Sequence, residues 1–243
     1  MQTEVLVLNE ERSVTLTAYR QAVGGEFAPI EKRPAVLILP GGAYRFCSDR
    51  EADPVAFAYL RAGFHVFILR YSVGEHKTWP QPLEDYEQAM ALIAQHADEW
   101  HVDAHKTAVV GFSAGGHLAG CAATVAEHKP VAAVLGYPVL TRQTAEEYMP
   151  DAPDVVAAVD KNTCPCFLFS SRTDSTVPVT DTLQMVQALE QNGVAYEAHV
   201  YGFGPHGFSV ADSTVNSRRL AMSASVPHWV PDSIAWLHEQ CGF

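Results

Sequence analysis

One serine of this 243-residue chain lies in a setting typical of a catalytic nucleophile. Ser113 is the centre of the motif GFSAG at residues 111–115, which follows the apolar run 108–110 and opens an alanine-rich segment. The two glycines allow a sharp turn between a strand and a helix, because a bulky side chain beside the strained serine would clash. The alternatives are an incidental serine in a glycine-rich turn, or a phosphate-binding loop, whose usual Lys-Ser/Thr or GxGxxG pattern is missing. The motif therefore predicts a nucleophile elbow.

A serine is a weak nucleophile at neutral pH, so this prediction requires a base and an orienting acid further along the chain. Asp174 and His206 follow in the order Ser, Asp, His, and each comes just after a predicted strand. Open α/β sheets place their sites at the carboxyl ends of their strands. Asp181 is the nearest rival acid, but it falls inside a predicted helix. We therefore expect Ser113 to attack an acyl carbonyl, His206 to carry the proton and Asp174 to hold the imidazole.

The oxyanion formed by such an attack also needs hydrogen-bond donors. The predicted strand 35–39 runs into PGGAY at residues 40–44, where small residues let backbone N–H groups approach a ligand. We expect Gly42, Ala43 and Ala114 to form this oxyanion hole. A plain tight turn is the alternative, and the sequence leaves open whether Gly42 or Ala43 is the main donor.

Three other patterns point less clearly to a site. Residues 202–207 formally fit GxGxxG, but no helix pattern follows them, so dinucleotide binding is not expected. His101, Asp103 and His105 have an alternate spacing, but they lie in a short polar segment without further ligands and are interpreted as a turn. The Cys-Pro-Cys stretch 164–166 is not a CxxC motif, so a redox site is not expected there. These patterns thus predict neither a metal site nor a dinucleotide-binding site.

The elements around these residues alternate between strands and helices. Residues 3–20 alternate around a polar turn and predict an antiparallel hairpin. Short apolar runs, typical of strands buried on both faces, occur at 35–39, 66–69, 108–111, 131–135 and 166–170, with a further strand at 196–201. Helical spacing occurs at 54–62, 83–100, 114–126, 180–192 and 231–240. The pattern predicts an α/β fold with a doubly wound, mostly parallel sheet, an N-terminal antiparallel hairpin and helices on both faces.

One stretch, at residues 141–162, has no clear period and contains two prolines and several acidic residues. Long unpatterned loops in compact domains are often functional, so we interpret it as a small cap-like excursion over the edge or the active face of the sheet. The sequence has no internal repeat and no low-complexity linker. We therefore expect a single domain over residues 1–243.

The composition is that of an ordinary globular protein, with 48% hydrophobic and 18% charged residues. Lys and Arg number 16 and Asp and Glu 28, a net charge of −12, so nucleic acid and anionic membranes are not expected partners. The five scattered cysteines suit free thiols in a reducing compartment, and no leader or membrane-spanning run is evident, so a cytoplasmic location is expected. An exposed edge strand in the N-terminal hairpin could support a homodimer.

Together these motifs resemble the α/β-hydrolase superfamily, and more narrowly its small branch of carbohydrate-acetylesterase-like and lipase/esterase-like proteins. The matching pieces are LPGGAY at 39–44, GFSAGGHLA at 111–119, YPV at 137–139, TD at 173–174 with VP at 177–178, and HGF at 206–208. Two positions depart from the pattern of that branch: Ala43 replaces the third glycine of PGGGY, and Pro40 stands where many esterases have the His of HGGG. The resemblance implies an eight-strand-like sheet, hydrolysis of carboxylic esters, no cofactor, and the same three catalytic residues.

Aromatic residues near the predicted strand ends are candidates for the substrate pocket. Tyr44, Tyr71, Tyr137 and Phe203 are expected to line an acyl or sugar subsite, with Phe46 and Trp79 as further candidates. Aromatic residues at such positions are as often part of the core.

The leading hypothesis is a serine esterase that removes short acyl groups, such as O-acetyl groups on sugars or xylo-oligosaccharides, because the excursion is too short for a large lipase-type cap. The residues do not distinguish esters from amides, so a general carboxylesterase and a peptidase-like acyl hydrolase stay open. A non-catalytic binding module with this fold is a third hypothesis, against which the three intact site residues count. The expected partner is a small-molecule ester.

Overall fold

The computed structural model describes residues 1–27, 29–216 and 220–243, and its centre is an eight-stranded sheet. In chain order the strands are β1 (Gln2–Asn9), β2 (Val14–Arg20), β3 (Arg33–Leu39), β4 (His65–Arg70), β5 (Val102–Phe112), β6 (Ala133–Gly136), β7 (Cys166–Ser171) and β8 (Tyr196–Tyr201). Their spatial order is β1-β2-β4-β3-β5-β6-β7-β8. Strand β2 pairs antiparallel with β1 and with β4, and the pairs from β4 to β8 are parallel. The predicted mostly parallel sheet with an N-terminal hairpin is confirmed.

Helices cover both faces of this sheet. They are α1 (Asp53–Arg61), α2 (Gln81–Gln95), α3 (Ala114–Thr124), α4 (Arg142–Ala145), α5 (Thr180–Gln191) and α6 (Trp229–Cys241). Alternate residues of β3 show how the two faces are filled: Leu37 and Leu39 belong to the apolar cluster that also contains side chains of α2, α3 and α5. Val36 and Ile38 belong to the cluster on the other face, with side chains of α1 and α6. Both faces are therefore buried, as the continuous apolar run predicts.

Strand β5 begins earlier than the sequence predicts. It starts at Val102, so the interpretation of this segment as a turn holds for His101 and is wrong for Asp103 and His105, which lie in the strand. Val102 is the register partner of Arg33, and an irregularity separates that pair from the pairing of Ala35 further along β3. The polar residues are tolerated because this outer part of the strand is only partly buried.

Helix α2 ends sooner than its pattern indicates, at Gln95 rather than at residue 100. Trp100 is nevertheless buried, because it stacks on Phe67 of β4 from a turn beyond the helix end. The excursion at 141–162 contains only the one-turn helix α4, which the hydroxyl of Thr141 caps by accepting from the N–H of Thr144. Over the described ranges, no helix has the length and apolar character that a membrane span requires.

The parallel strands bring their carboxyl ends to one edge of the sheet. The loops after β3, β5 and β7 carry residues 40–44, Ser113 and Asp174, and the loop after β8 carries His206. The topology thus places all the predicted site residues at the same edge, as expected for an open α/β sheet.

Candidate active site

Ser113 occupies the strained turn between β5 and α3. Its backbone has φ 52° and ψ −116°, a conformation that costs about 1–3 kcal/mol for a residue with a side chain. Neighbouring backbone groups hold this turn: the N–H of Ser113 donates to the carbonyl of Gly136 at 3.0 Å, and its carbonyl accepts from His117 at 2.9 Å. Gly115 must lack a side chain, because a Cβ there would lie 2.1 Å from the carbonyl oxygen of Leu39. This close approach sets the elbow directly beside the end of β3.

The side chains of Ser113, His206 and Asp174 form one hydrogen-bonded chain. His206 Nε2 lies 2.8 Å from Ser113 Oγ, and His206 Nδ1 lies 2.6 Å from Asp174 Oδ2. The other carboxylate oxygen of Asp174 accepts from the N–H groups of Thr176 at 2.8 Å and Val177 at 3.0 Å. Because a carboxylate only accepts, Nδ1 carries the proton, and Nε2 is free to accept the hydroxyl proton of Ser113. The His206 side chain is 18% exposed and the Asp174 side chain is buried, and the hydrogen-bonded chain ends at the Ser113 hydroxyl, which lines a cleft.

Asp181, the rival acid, has a different role. It lies in α5, as predicted, and its buried carboxylate accepts from the N–H groups of Leu140 at 2.8 Å and Thr141 at 3.2 Å. The hydroxyls of Thr141 and Thr144 also donate to it. Asp181 therefore anchors the start of the excursion, and Asp174 is the carboxylate that contacts His206.

Residues Gly42, Ala43 and Tyr44 form a tight turn after β3, with φ values of 136°, 56° and 55°. Gly42 is required there, because a Cβ at this position would lie 2.0 Å from the carbonyl oxygen of Phe46. Among the described residues, the N–H groups of Gly42 and Ala43 have no acceptor, and both residues line the cleft next to Ser113. Ala114 provides the first N–H of α3, which has no partner within the helix. Gly42 and Ala43 thus line the cleft, Ala114 directly follows Ser113 in the chain, and the choice between Gly42 and Ala43 stays open.

Two of the aromatic residues expected in the substrate pocket instead lie behind this turn. The hydroxyl of Tyr71 donates to the carbonyl of Pro40 at 2.6 Å, and that of Tyr44 donates to His117 Nδ1 at 2.8 Å. Both tyrosines are buried, which raises the pKa of each well above 10, so their hydroxyls stay protonated. They lie behind the pocket wall because their rings turn into the core and their hydroxyls support the loop.

Tyr137 and Phe203, the other two residues expected in the pocket, also lie outside the cleft. Tyr137 is buried, and its hydroxyl donates to Glu51 at 2.6 Å, while the half-exposed Phe203 lies outside the cleft wall. The aromatic residues that do line the cleft are Phe46, which the sequence offers as a further candidate, and Tyr148, for which the sequence gives no signal; Trp79 is not among the lining residues. Phe46 is 58% exposed and follows the turn after β3, whereas Tyr148 comes from the excursion.

His117 links the turn after β3 to the excursion. While Nδ1 accepts from Tyr44, Nε2 donates to the carbonyl of Pro153 at 3.0 Å. Burial lowers the pKa of His117 to about 4, so the ring is neutral at physiological pH, which its single donor and single acceptor role requires.

The cleft that contains Ser113 and His206 has a volume of about 250 Å³. A larger cavity of about 490 Å³ adjoins it, shares Arg50, His206 and Gly207 with it, and does not include the nucleophile. In the part of the chain that the structure describes, no group of three or more His, Cys, Asp or Glu side chains could hold a metal ion, and His101, Asp103 and His105 form no such group. The cleft presents a serine hydroxyl in contact with an imidazole and next to backbone N–H groups, which are the parts that nucleophilic acyl transfer requires.

The BD-FAE family model matches residues 28–141 of the chain. An acetylxylan esterase of Xylanibacter ruminicola is 26% identical over 196 residues, which is 72% of this chain and 41% of that protein. The chain spans between a third and a half of the length of the first curated relatives it matches.

Two solved structures resemble this one over nearly their whole length. The carboxylesterase Cest-2923 from Lactobacillus plantarum has a TM-score of 0.90 and 28% identity, covering 99% of this chain and 98% of that one. MGS-M1, an α/β hydrolase enzyme from a Medee basin deep-sea metagenome library, has a TM-score of 0.91 and 40% identity, covering 100% of this chain and 99% of that one. Because the 40% sequence identity to MGS-M1 extends over the complete fold, the chain belongs to the α/β hydrolases.

Proposed function

We propose that this protein is a serine hydrolase of short-chain carboxylic esters, and that O-acetyl groups on sugars or xylo-oligosaccharides are its substrates. The observation that carries the proposal is the hydrogen-bonded chain from Ser113 through His206 to Asp174, with distances of 2.8 and 2.6 Å. It opens into a cleft beside backbone N–H groups that have no acceptor within the described residues. A serine, a base and an orienting acid in this arrangement are the requirements for acyl transfer.

The proposed reaction has two halves. Ser113 Oγ attacks the ester carbonyl carbon while its proton passes to His206 Nε2, and the resulting oxyanion is held by N–H groups of Ala114 and the turn after β3. The bond to the alcohol then breaks as His206 returns the proton to the leaving oxygen, which leaves an acyl group on Ser113. Water attacks this acyl-enzyme with His206 again taking the proton, and the carboxylic acid is released as Ser113 recovers its hydroxyl.

The size of the cleft supports a small acyl group. Its volume of about 250 Å³ lies below the range of roughly 300–1,000 Å³ typical of small-molecule pockets. Phe46 and Tyr148 line the cleft, and the excursion that carries Tyr148 is too short to form a large lid. Such a site suits acetyl better than a long acyl chain.

The sugar substrate rests on two further observations. The related Xylanibacter protein is an acetylxylan esterase, and the exposed ring of Phe46 offers an aromatic face on which a sugar ring can pack. A general carboxylesterase is the second candidate, which the similarity to the Lactobacillus plantarum carboxylesterase favours. The five free cysteines support a reducing compartment, such as the cytoplasm, for either activity.

The test compares p-nitrophenyl esters from acetate to octanoate with acetylated xylose and acetylated xylan. We expect the rate to fall steeply beyond acetate or butyrate, and acetate to be released from the sugars. Ser113→Ala should abolish both activities, whereas Ser225→Ala, which removes the same hydroxyl at an exposed position, should keep them. Preference for long chains with no release from sugars would establish the general carboxylesterase instead, and equal activity of wild type and Ser113→Ala would refute the mechanism.

A further inference from the structure

Glu51 is a buried carboxylate that the mechanism above does not use. It ends the short 3₁₀ turn Asp49–Glu51, between the turn after β3 and helix α1, and is only 4% exposed. Its Oε2 accepts from the N–H of Gly41 at 2.8 Å, and its Oε1 accepts from the hydroxyl of Tyr137 at 2.6 Å. Gly41 directly precedes the two candidate donor residues, so one oxygen of Glu51 holds the backbone from which those donors project.

The other oxygen reaches the loop that carries His206. The Tyr137 hydroxyl, while donating to Glu51, accepts from the N–H of Ser209 at 3.1 Å. The Tyr137 ring also packs edge-on against the His206 ring, with 5.0 Å between ring centroids. A Cβ built on Gly207 would lie 3.9 Å from Glu51 Oε1, so the carboxylate is in contact range of this loop. Glu51 thus links the turn after β3 that carries Gly42 and Ala43, called the oxyanion turn below, to Tyr137 and to the loop that carries His206.

Burying a carboxylate is costly unless donors or charges compensate for lost water. The pKa of Glu51 is raised above its ordinary value because the carboxylate is buried, and the hydrogen bonds from Tyr137 and Gly41 and the charges of His206 and Arg50 offset part of that rise. The ionisable groups that face the carboxylate are therefore Arg50 from its own turn, His206 from the opposite loop and Tyr137 from the end of β6. A negative charge here favours the imidazolium that forms when His206 takes the serine proton.

We propose that Glu51 is a positioning residue, which fixes the oxyanion turn relative to His206 and stabilises the protonated imidazole during acyl transfer. This inference rests on the proposed ester hydrolysis. The carboxylate acts through Gly41, Tyr137 and the electric field at His206, and forms no bond to the substrate.

The test is the kinetics of Glu51→Gln on a p-nitrophenyl acetate substrate. This change keeps the size of the side chain and removes its charge and one acceptor. We expect kcat to fall by about 10- to 100-fold with KM nearly unchanged, because the interactions lost are stronger in the transition state. We also expect the acid limb of the profile of kcat/KM against pH to move to lower pH, because the imidazolium loses a neighbouring negative charge. A residue that only holds the fold would not move that limb.

Two further variants complete the design. Asp49→Asn removes a charge from the same turn at a side chain that is 86% exposed and paired with Arg70, and it should leave kcat and the acid limb unchanged. Tyr137→Phe keeps the Glu51 charge but breaks the link to Ser209, so kcat should fall while the acid limb stays in place. It also provides the test of the positioning role if Glu51→Gln does not fold.

The outcomes separate the two proposals. If the wild-type protein hydrolyses no ester, the proposed function fails. If the wild type is active and Glu51→Gln retains either the wild-type kcat or the wild-type acid limb, or if Tyr137→Phe retains full kcat, the role of Glu51 is overturned while the proposed function stands.

Discussion

Acidification is expected to destabilise the protein through the buried His117. Burial lowers the pKa of this residue from 6.5 to about 4. Between these values the unfolded chain binds a proton that the folded protein does not, so the free energy of unfolding falls as the pH decreases through this window. At about 1.4 kcal/mol per pKa unit, the full decrease in the free energy of unfolding is about 3 kcal/mol. About 2 kcal/mol of this decrease occurs between about pH 7.5 and about pH 5.0.

The assay is urea unfolding of wild type and His117→Gln at both pH values, followed by tryptophan fluorescence. Glutamine does not titrate, so the variant should lose about 2 kcal/mol less than wild type between the two pH values, although losing the contacts with Tyr44 and Pro153 lowers its stability at both. Burial also lowers the pKa of His65 to about 4, but His65 is present in both proteins and cancels in the comparison. His105→Gln, at an exposed position, should behave like wild type. Equal pH-dependent losses in wild type and His117→Gln would refute the reasoning.

Three further changes have defined outcomes. Gly42→Ala places a Cβ 2.0 Å from the carbonyl oxygen of Phe46 and should displace the oxyanion turn, lowering kcat by about 10²–10³-fold in ester kinetics; unchanged kcat would show that this turn supplies no donor. Asp174→Asn should lower kcat by about 10⁴-fold without unfolding the protein, as measured by kinetics and circular dichroism, and a loss below tenfold would contradict its orienting role. Tyr71→Phe removes the hydrogen bond to Pro40 and should reduce the free energy of unfolding by about 1–3 kcal/mol in urea, because a buried carbonyl loses its donor; no change would show that the bond contributes nothing.

The elements and the elbow follow from local sequence. The apolar run at 35–39 predicts a strand buried on both faces, and β3 indeed contributes alternate residues to both apolar clusters. The glycines around Ser113 predict a strained turn, which the positive φ of the serine shows. Periodicity and backbone sterics act over a few residues, so a single sequence reveals them.

Local sequence does not reveal which side chains line the cleft and which support it from behind. Tyr44 and Tyr71 lie near strand ends, but whether a ring faces the cleft or the core depends on the path of a turn with successive positive φ values. Glu51 gives no sequence signal, because its partners Gly41 and Tyr137 and the nearby Gly207 come from three separate segments. These features are set by tertiary packing.

Labelling with a fluorophosphonate probe shows whether Ser113 is an activated nucleophile. The probe reacts with a serine that a neighbouring base has activated, so intact mass and peptide mapping report the residue that carries the adduct. We predict one adduct per chain, located on Ser113 and absent from Ser113→Ala and from the unfolded protein. A folded wild-type protein that takes up no probe, or that takes it up equally after Ser113→Ala, would contradict the account.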